Sequence, residues 1–340
     1  AFPWYYFSGS QPHVNGVSWG HLGVLLGGIV VFAVVALAGV NRRDLRDRTT
    51  GTGLVDRLRT HPLTKKAIDR LAGSARVSRI WTKTASEHQG LLIIVSYVMF
   101  LIMGVLLGPM YTFIDDTIAS IGDAFPEGMM ELFGGGDLTT PEGWYQIETF
   151  GLMAPIAFML VTVTIGSRAM AGEEANRTMG LLLANPIKRS TVVLEKTFAM
   201  VIYALIVGFA LFAGVALGSI LGGLGMSPGR IAAATTLGML LGLVFGALSL
   251  AISAATGRSR IAIFGTIGVA LVFFVADGFL PLSDSLAGLA KWTPVYYYLG
   301  SDPLNNGMDW GHGAVLLGLF AILVAAATWL FDHRDLRQSA

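Results

Sequence analysis

The sequence predicts an all-α integral membrane protein, and three observations carry that prediction: composition, seven apolar segments of spanning length, and a lopsided placement of basic residues. Of 340 residues, 54% are hydrophobic and 13% charged, and 43 are glycine, against about 25% charged in an ordinary soluble domain. A spanning helix needs about 20 apolar residues, because only helical geometry satisfies every backbone group across roughly 30 Å of hydrocarbon. Such segments run from His21 to Val40, Gln89 to Gly108, Thr149 to Ser167, Thr197 to Gly222, Ile231 to Ala255, Ile261 to Leu280 and Gly311 to Phe331. The chain has no cysteine, which excludes disulfides, thiolate metal sites and cysteine nucleophiles. Its first twenty residues contain no Lys or Arg and so lack the basic start of a signal peptide.

Lys and Arg fix the expected orientation, since they concentrate on the cytoplasmic side. Twelve fall between Asn41 and His88 and five between Arg168 and Lys196; Arg258, Arg260, Arg334 and Arg337 lie on the same side, while Arg230 and Lys291 alone lie on the other. The loop from Pro109 to Glu148 has no basic residue and eight acidic ones, and reads as external. The N-terminus is therefore expected outside and the C-terminus in the cytoplasm, with the last six spans forming an N-in, C-in bundle. A net charge of +1, so distributed, points to a lipid bilayer as partner and to no nucleic acid.

The chain also repeats itself. At an offset of 291 residues, PWYYFSGSQPHVNGVSWGHLGVLLG from Pro3 matches PVYYYLGSDPLNNGMDWGHGAVLLG from Pro294, and the match runs on to NRRDLR ending at Arg46 and DHRDLR ending at Arg337. Twenty of 44 aligned positions are identical, including Tyr5 with Tyr296, Trp19 with Trp310 and Asp44 with Asp335. Identity in the polar flanks rules out mere apolar likeness. Residues 1–48 thus read as the last span and tail of a preceding equivalent unit, 49–75 as a cytoplasmic linker, and 76–340 as a complete six-span unit. Parallel repeats with the transport path between them are a transporter plan.

One cytoplasmic loop stands out. From Gly166 to Lys196 it reads GSRAMAGEEANRTMGLLLANPIKRSTVVLEK: Met179 and Leu181–Leu183 suit a short helix, and Pro186 ends it. In order come Glu173 and Glu174, Arg177, Thr178, the Leu run including Leu182, Pro186, Arg189 and Lys196. This stretch resembles the signature loop of type-2 ABC transporter permeases; Arg177 stands where that family usually has a small residue. The resemblance extends over 76–340 and implies a six-helix type-2 ABC exporter transmembrane domain, here with one extra N-terminal helix. It implies that the loop is a coupling helix seated in a separate ATPase subunit, present in two copies, which binds the ATP and Mg that this chain does not.

The remaining motifs are few. No phosphate-binding G-x-x-x-x-G-K-[ST], H-E-x-x-H or G-x-S-x-G string occurs, so no catalytic or metal site is expected, and the energy source is expected on a partner. Residues 76–88, with Arg79, Trp81 and Lys83, read as an amphipathic helix at the inner surface, which in the family contacts the ATPase. Asp277 is the one ionisable residue inside a span; its place near the outer end suits either a solvated helix-end role or a proton or substrate role. Tyr296, Tyr297 and Tyr298 read as an aromatic belt and, with Asp277, as a candidate outer gate. Residues 110–133 and 282–298 read as interfacial helices. Glycines spaced by four (Gly104 and Gly108; Gly214, Gly218 and Gly222; Gly238, Gly242 and Gly246) mark close packing, expected between the helices at Thr197–Gly222 and Ile231–Ala255.

The expectation is a multi-pass permease of a prokaryotic-type cell membrane, not itself an enzyme, exporting an amphipathic or hydrophobic drug-like compound with a separate ATPase and an equivalent first permease half. It is similar to the fused double permeases of polyketide-antibiotic exporters, whose efflux confers resistance. An ion-coupled secondary transporter and a non-transporting scaffold or regulatory subunit are the alternatives.

Overall fold

The computed structural model describes residues 80–122, 137–183, 187–283 and 285–334, with 20, 22–24, 26–27 and 29–31 of the N-terminal segment. The chain divides into two units, Ala1–Ala75 and Arg76–Ala340. In the first, the described residues are helical; most of the expected span at His21–Val40, and the linker at 49–75, lie outside the described residues.

In the second unit, six helices are long and apolar enough to cross a membrane: span 1 Gln89–Ile114, span 2 Pro141–Ala169, span 3 Arg189–Leu221, span 4 Pro228–Thr256, span 5 Ser259–Phe279 and span 6 Trp310–His333. Their ends follow local chemistry. Span 2 starts eight residues before the expected Thr149, because Thr140 caps it by accepting from Gly143 N at 3.1 Å and Pro141 follows in the first turn. Asp309 caps span 6 by accepting from His312 N at 3.0 Å. Span 4 closes on Gly257 at φ 64°, a left-handed position that glycine takes without a Cβ clash. Spans 4 and 2 form the centre, with 78% and 67% of their apolar stretches buried, against 17% and 22% for spans 5 and 6. Helix α1, Ile80–Glu87, precedes span 1.

Glycine contacts pair the helices differently from the sequence expectation. Gly214, Gly218 and Gly222 face span 1, not span 4: a Cβ on Gly108 would lie 2.0 Å from Gly218 O, and one on Gly214 2.3 Å from Phe100 O. Gly242 and Gly246 instead receive Phe158 and Thr162 of span 2. Small residues let two helix backbones approach closely, and spans 1 and 3 share that spacing.

Span 1 includes a π-helical stretch, Val98–Leu106, and span 2 another, Gln146–Phe150. Side chains from neighbouring elements donate to carbonyls in and beside these stretches, as the dry bilayer requires. Tyr145 OH reaches Gly104 O at 2.7 Å, Thr149 Oγ1 reaches Met103 O at 2.9 Å, Trp144 Nε1 reaches Leu107 O at 3.2 Å and Tyr298 OH reaches Phe150 O at 2.6 Å. The stretch expected as interfacial from Met110 continues span 1 as helix Leu107–Gly122, and 123–136 lie outside the described residues. Between spans 5 and 6 stand one-turn helices, Ala287–Ala290 and Tyr296–Leu299.

Candidate functional site

The loop between spans 2 and 3 is built from two five-residue helices, Ala171–Ala175 and Met179–Leu183, joined by a tight turn. Arg177 in that turn sits at φ 58°, the left-handed region that L side chains pay to enter, which explains why a small residue suits the position. The first helix is anchored to span 4: Ala171 N donates to Ser253 Oγ at 3.2 Å, and Ser253 Oγ donates to Ser167 O at 3.0 Å. Leu182 is half-buried and packs against a cluster that includes Ile80, Met170, Met179 and Val192. Pro186 lies outside the described residues.

Glu173 and Glu174 both turn into the protein. Glu173 is 5% exposed, and its carboxylate accepts from Lys196 Nζ at 2.9 Å, from Lys83 Nζ at 2.9 Å on each oxygen, and from Thr178 Oγ1. Burial pushes this carboxyl up, but Lys196, Thr178 and Lys83 outweigh it and hold it down to about 2. Thr178 N also donates to Glu173 O at 2.9 Å, so the turn closes on the same residue. Adjacent Glu195 faces α1: its Oε2 accepts from Ile80 N at 2.8 Å and Trp81 N at 3.2 Å, satisfying amide donors that a helix start leaves open. Trp81 meets Phe198 edge-on at 5.6 Å. Arg79 lies outside the described residues.

Glu174 pairs with Arg334, and Arg334 also donates to Ala254 O at 2.9 Å and Ser253 O at 3.3 Å. Arg189, at the start of span 3, donates to Phe331 O at 3.0 Å, Asp332 O at 3.3 Å and Arg334 O at 2.9 Å, with its guanidinium 5.6 Å from the Phe331 ring. Two arginines thus cover the carbonyl ends of spans 4 and 6, where the helix dipole favours a cation. Ala175, Asn176, Arg177, Gly180 and Lys188 are exposed.

The structure therefore brings Glu173, Thr178, Lys83 and Trp81 to one side of the loop and Glu174 to the other, with Arg189 directed at the end of span 6. Lys196, matched in the motif, supplies the buried cation. Arg334, Glu195 and Ser253 were not singled out in the sequence; Arg334 carried a signal, since it lies in the RDLR that recurs at Arg43.

At the opposite end, the four expected gate residues do not form one cluster. Asp277 Oδ1 accepts from Thr293 Oγ1 at 3.1 Å, and Tyr296 N donates to that same hydroxyl at 3.2 Å. Tyr296 and Tyr297 flank His312, with ring centroids 5.4 and 5.2 Å away. Tyr298 is fully buried and points into span 2.

A family model described as "ABC-2 family transporter protein" matches residues 85–336, which takes in the last part of α1, the loop and all six spans. No curated protein matches the chain.

Proposed function

The chain belongs to the ABC-2 family of transporter proteins and is a transmembrane subunit of an ABC transporter; from that premise we propose that it is the permease of an exporter driven by a separate ATPase, with the loop Met170–Lys188 as the coupling element. The observation that carries this reading is the seating of the loop. Its turn, Ala175–Arg177, is exposed, while the neighbouring Glu173 is locked by Lys83 to α1 and by Lys196 to span 3. A push on the turn is then delivered to the helices rather than absorbed by a flexible connection.

In this reading the basic end of the bundle is cytoplasmic, so the C-terminus lies inside and the N-terminus outside, and the bilayer is that of the cell. Two ATPase copies, holding ATP and Mg, serve this unit and an equivalent first half, of which residues 1–48 are the tail. An open apolar groove of ≈ 420 Å³ between spans 2 and 5, lined by residues such as Leu152, Ile156, Met159 and Phe274, suits a hydrophobic or amphipathic cargo, in this reading a drug-like or antibiotic-like compound. Asp277, Tyr296 and Tyr297 would shape an outer gate at the external mouth, while the buried Tyr298 is tied to span 2 and takes no part in it.

The test is co-purification of the permease with candidate ATPase subunits. Reversing both glutamates would break the fold of the loop, so the informative variant lies on its exposed turn: Ala175→Arg with Arg177→Glu. Loss of the ATPase from this variant, at unchanged melting temperature, is the expected result. Equal retention removes the loop as the docking element, and absence of any ATPase from the wild type favours an ion-coupled carrier or a scaffold.

A further inference from the structure

Two consecutive glutamates on one short helix are held by different parts of the protein. Successive residues on a helix point about 100° apart, and here that divergence sends Glu173 towards α1 and span 3, and Glu174 towards spans 4 and 6. The second attachment depends wholly on Arg334. Span 6 ends at His333, and Arg334 leaves the helix with extended backbone, φ −88° and ψ 132°. Its side chain crosses to the carbonyl end of span 4 while its own carbonyl accepts from Arg189 of span 3.

The space for the pair is made by Gly257. A Cβ there would lie 2.5 Å from Glu174 Oε2 and 2.9 Å from Arg334 Nη1, so the residue that closes span 4 also seats the carboxylate and guanidinium. Both side chains are largely shielded, 14% and 16% exposed. A pair so enclosed, with further hydrogen bonds to backbone carbonyls, holds its geometry where an exposed pair would exchange with water.

We infer that Arg334 is a positioning residue for energy coupling: it fastens the loop to the cytoplasmic ends of spans 4 and 6, so that these move with the loop when nucleotide drives it. The inference rests on the coupling reading above. It divides the output of one loop between two clasps. Glu173 serves α1 and span 3, and Glu174 with Arg334 serves spans 4 and 6.

The absence of cysteine makes a direct test simple. Cysteines placed at Gly172, half-buried on the first loop helix and three residues before the docking turn, and at Ala255, exposed on span 4, carry a pair of spin labels in the permease bound to its ATPase. In the wild type the distance between them should stay the same when a non-hydrolysable ATP analogue is added. In Arg334→Ala it should shift on addition of the analogue, with the ATPase still bound. Arg334→Ala also removes the cap on span 4 and so risks misfolding; Glu174→Gln keeps that cap and severs only the charged link, and it should show the same nucleotide-dependent shift. A merely structural role predicts a broadened distance in the variants with and without nucleotide alike, and would overturn the inference. So would variants that behave as wild type, or a wild-type distance that itself changes with nucleotide. If no ATPase binds the wild type, the coupling reading falls and the inference with it; if the ATPase binds and the labels disagree, only the inference falls.

Discussion

The loop end of the bundle and the seam between spans 1 and 3 both hold helices close, by opposite means. At the loop, Lys83, Glu173, Lys196, Glu174, Arg334 and Arg189 join elements through long side chains whose ends carry charge. Along the seam, Gly104 and Gly108 meet Gly214 and Gly218 with nothing between the backbones. Long charged side chains fasten elements whose backbones stand apart, and a substitution can sever one fastening without moving the helices behind it. Backbone against backbone leaves no side chain to sever. The protein thus joins the loop to its helices through side chains and spans 1 and 3 through their main chains.

The largest effect should follow from unbalancing the joint rather than removing it. Lys196→Met leaves Glu173 buried with Lys83 as its remaining cation, and should cost about 4 kcal/mol. Thermal unfolding in detergent measures it, and the double variant Lys196→Met with Glu173→Met should recover most of the loss. If the double variant is as unstable as the single one, the two lysines do not act through Glu173. At the seam, Gly108→Ala should cost about 2–3 kcal/mol through overpacking, read from the same melts, and no second substitution should rescue it, since the atom it strikes is Gly218 O.

The two regions should also separate with pH. The Glu173 carboxyl is held at about 2 against an ordinary 4.5, so its stabilising effect is fully present above pH 4.5 and is lost as the pH falls from there towards 2. The difference in melting temperature between wild type and Glu173→Gln should therefore shrink between pH 5 and pH 3, while that between wild type and Gly108→Ala stays constant. The smallest effect is a gain: Arg177→Gly relieves a left-handed residue and should stabilise by about 1 kcal/mol. No gain on melting would mean that the Arg177 side chain offsets its own strain.

The bilayer made the spans legible. Length and apolarity are imposed by the solvent, so six helices fall where the hydropathy placed them; span 2 begins earlier than its apolar run because Thr140 and Pro141 start the helix ahead of it. The order of the loop motif was legible for the same reason, being a string. Its directions were not. A five-residue helix is too short for periodicity to show which face is buried, so nothing in the string indicates that Glu173 and Glu174 both turn inward. The glycine pairing was misjudged because spacing shows that a face is flat without showing which neighbour lies on it. Nor does any residue pattern announce a π-helical stretch; it becomes visible once Tyr145 and Thr149 are seen donating to Gly104 O and Met103 O.

The seam carries a consequence for how this sequence can change over time. Most substitutions in a packed core are absorbed when a neighbour later shrinks or turns aside. Gly104, Gly108, Gly214 and Gly218 have main-chain atoms as their nearest neighbours, and the main chain offers no smaller variant to select. These four positions are closed to compensated drift. Variation is left to positions such as Phe264, Leu271, Val272 and Ile322 of spans 5 and 6, whose exposed side chains can change without striking a main chain.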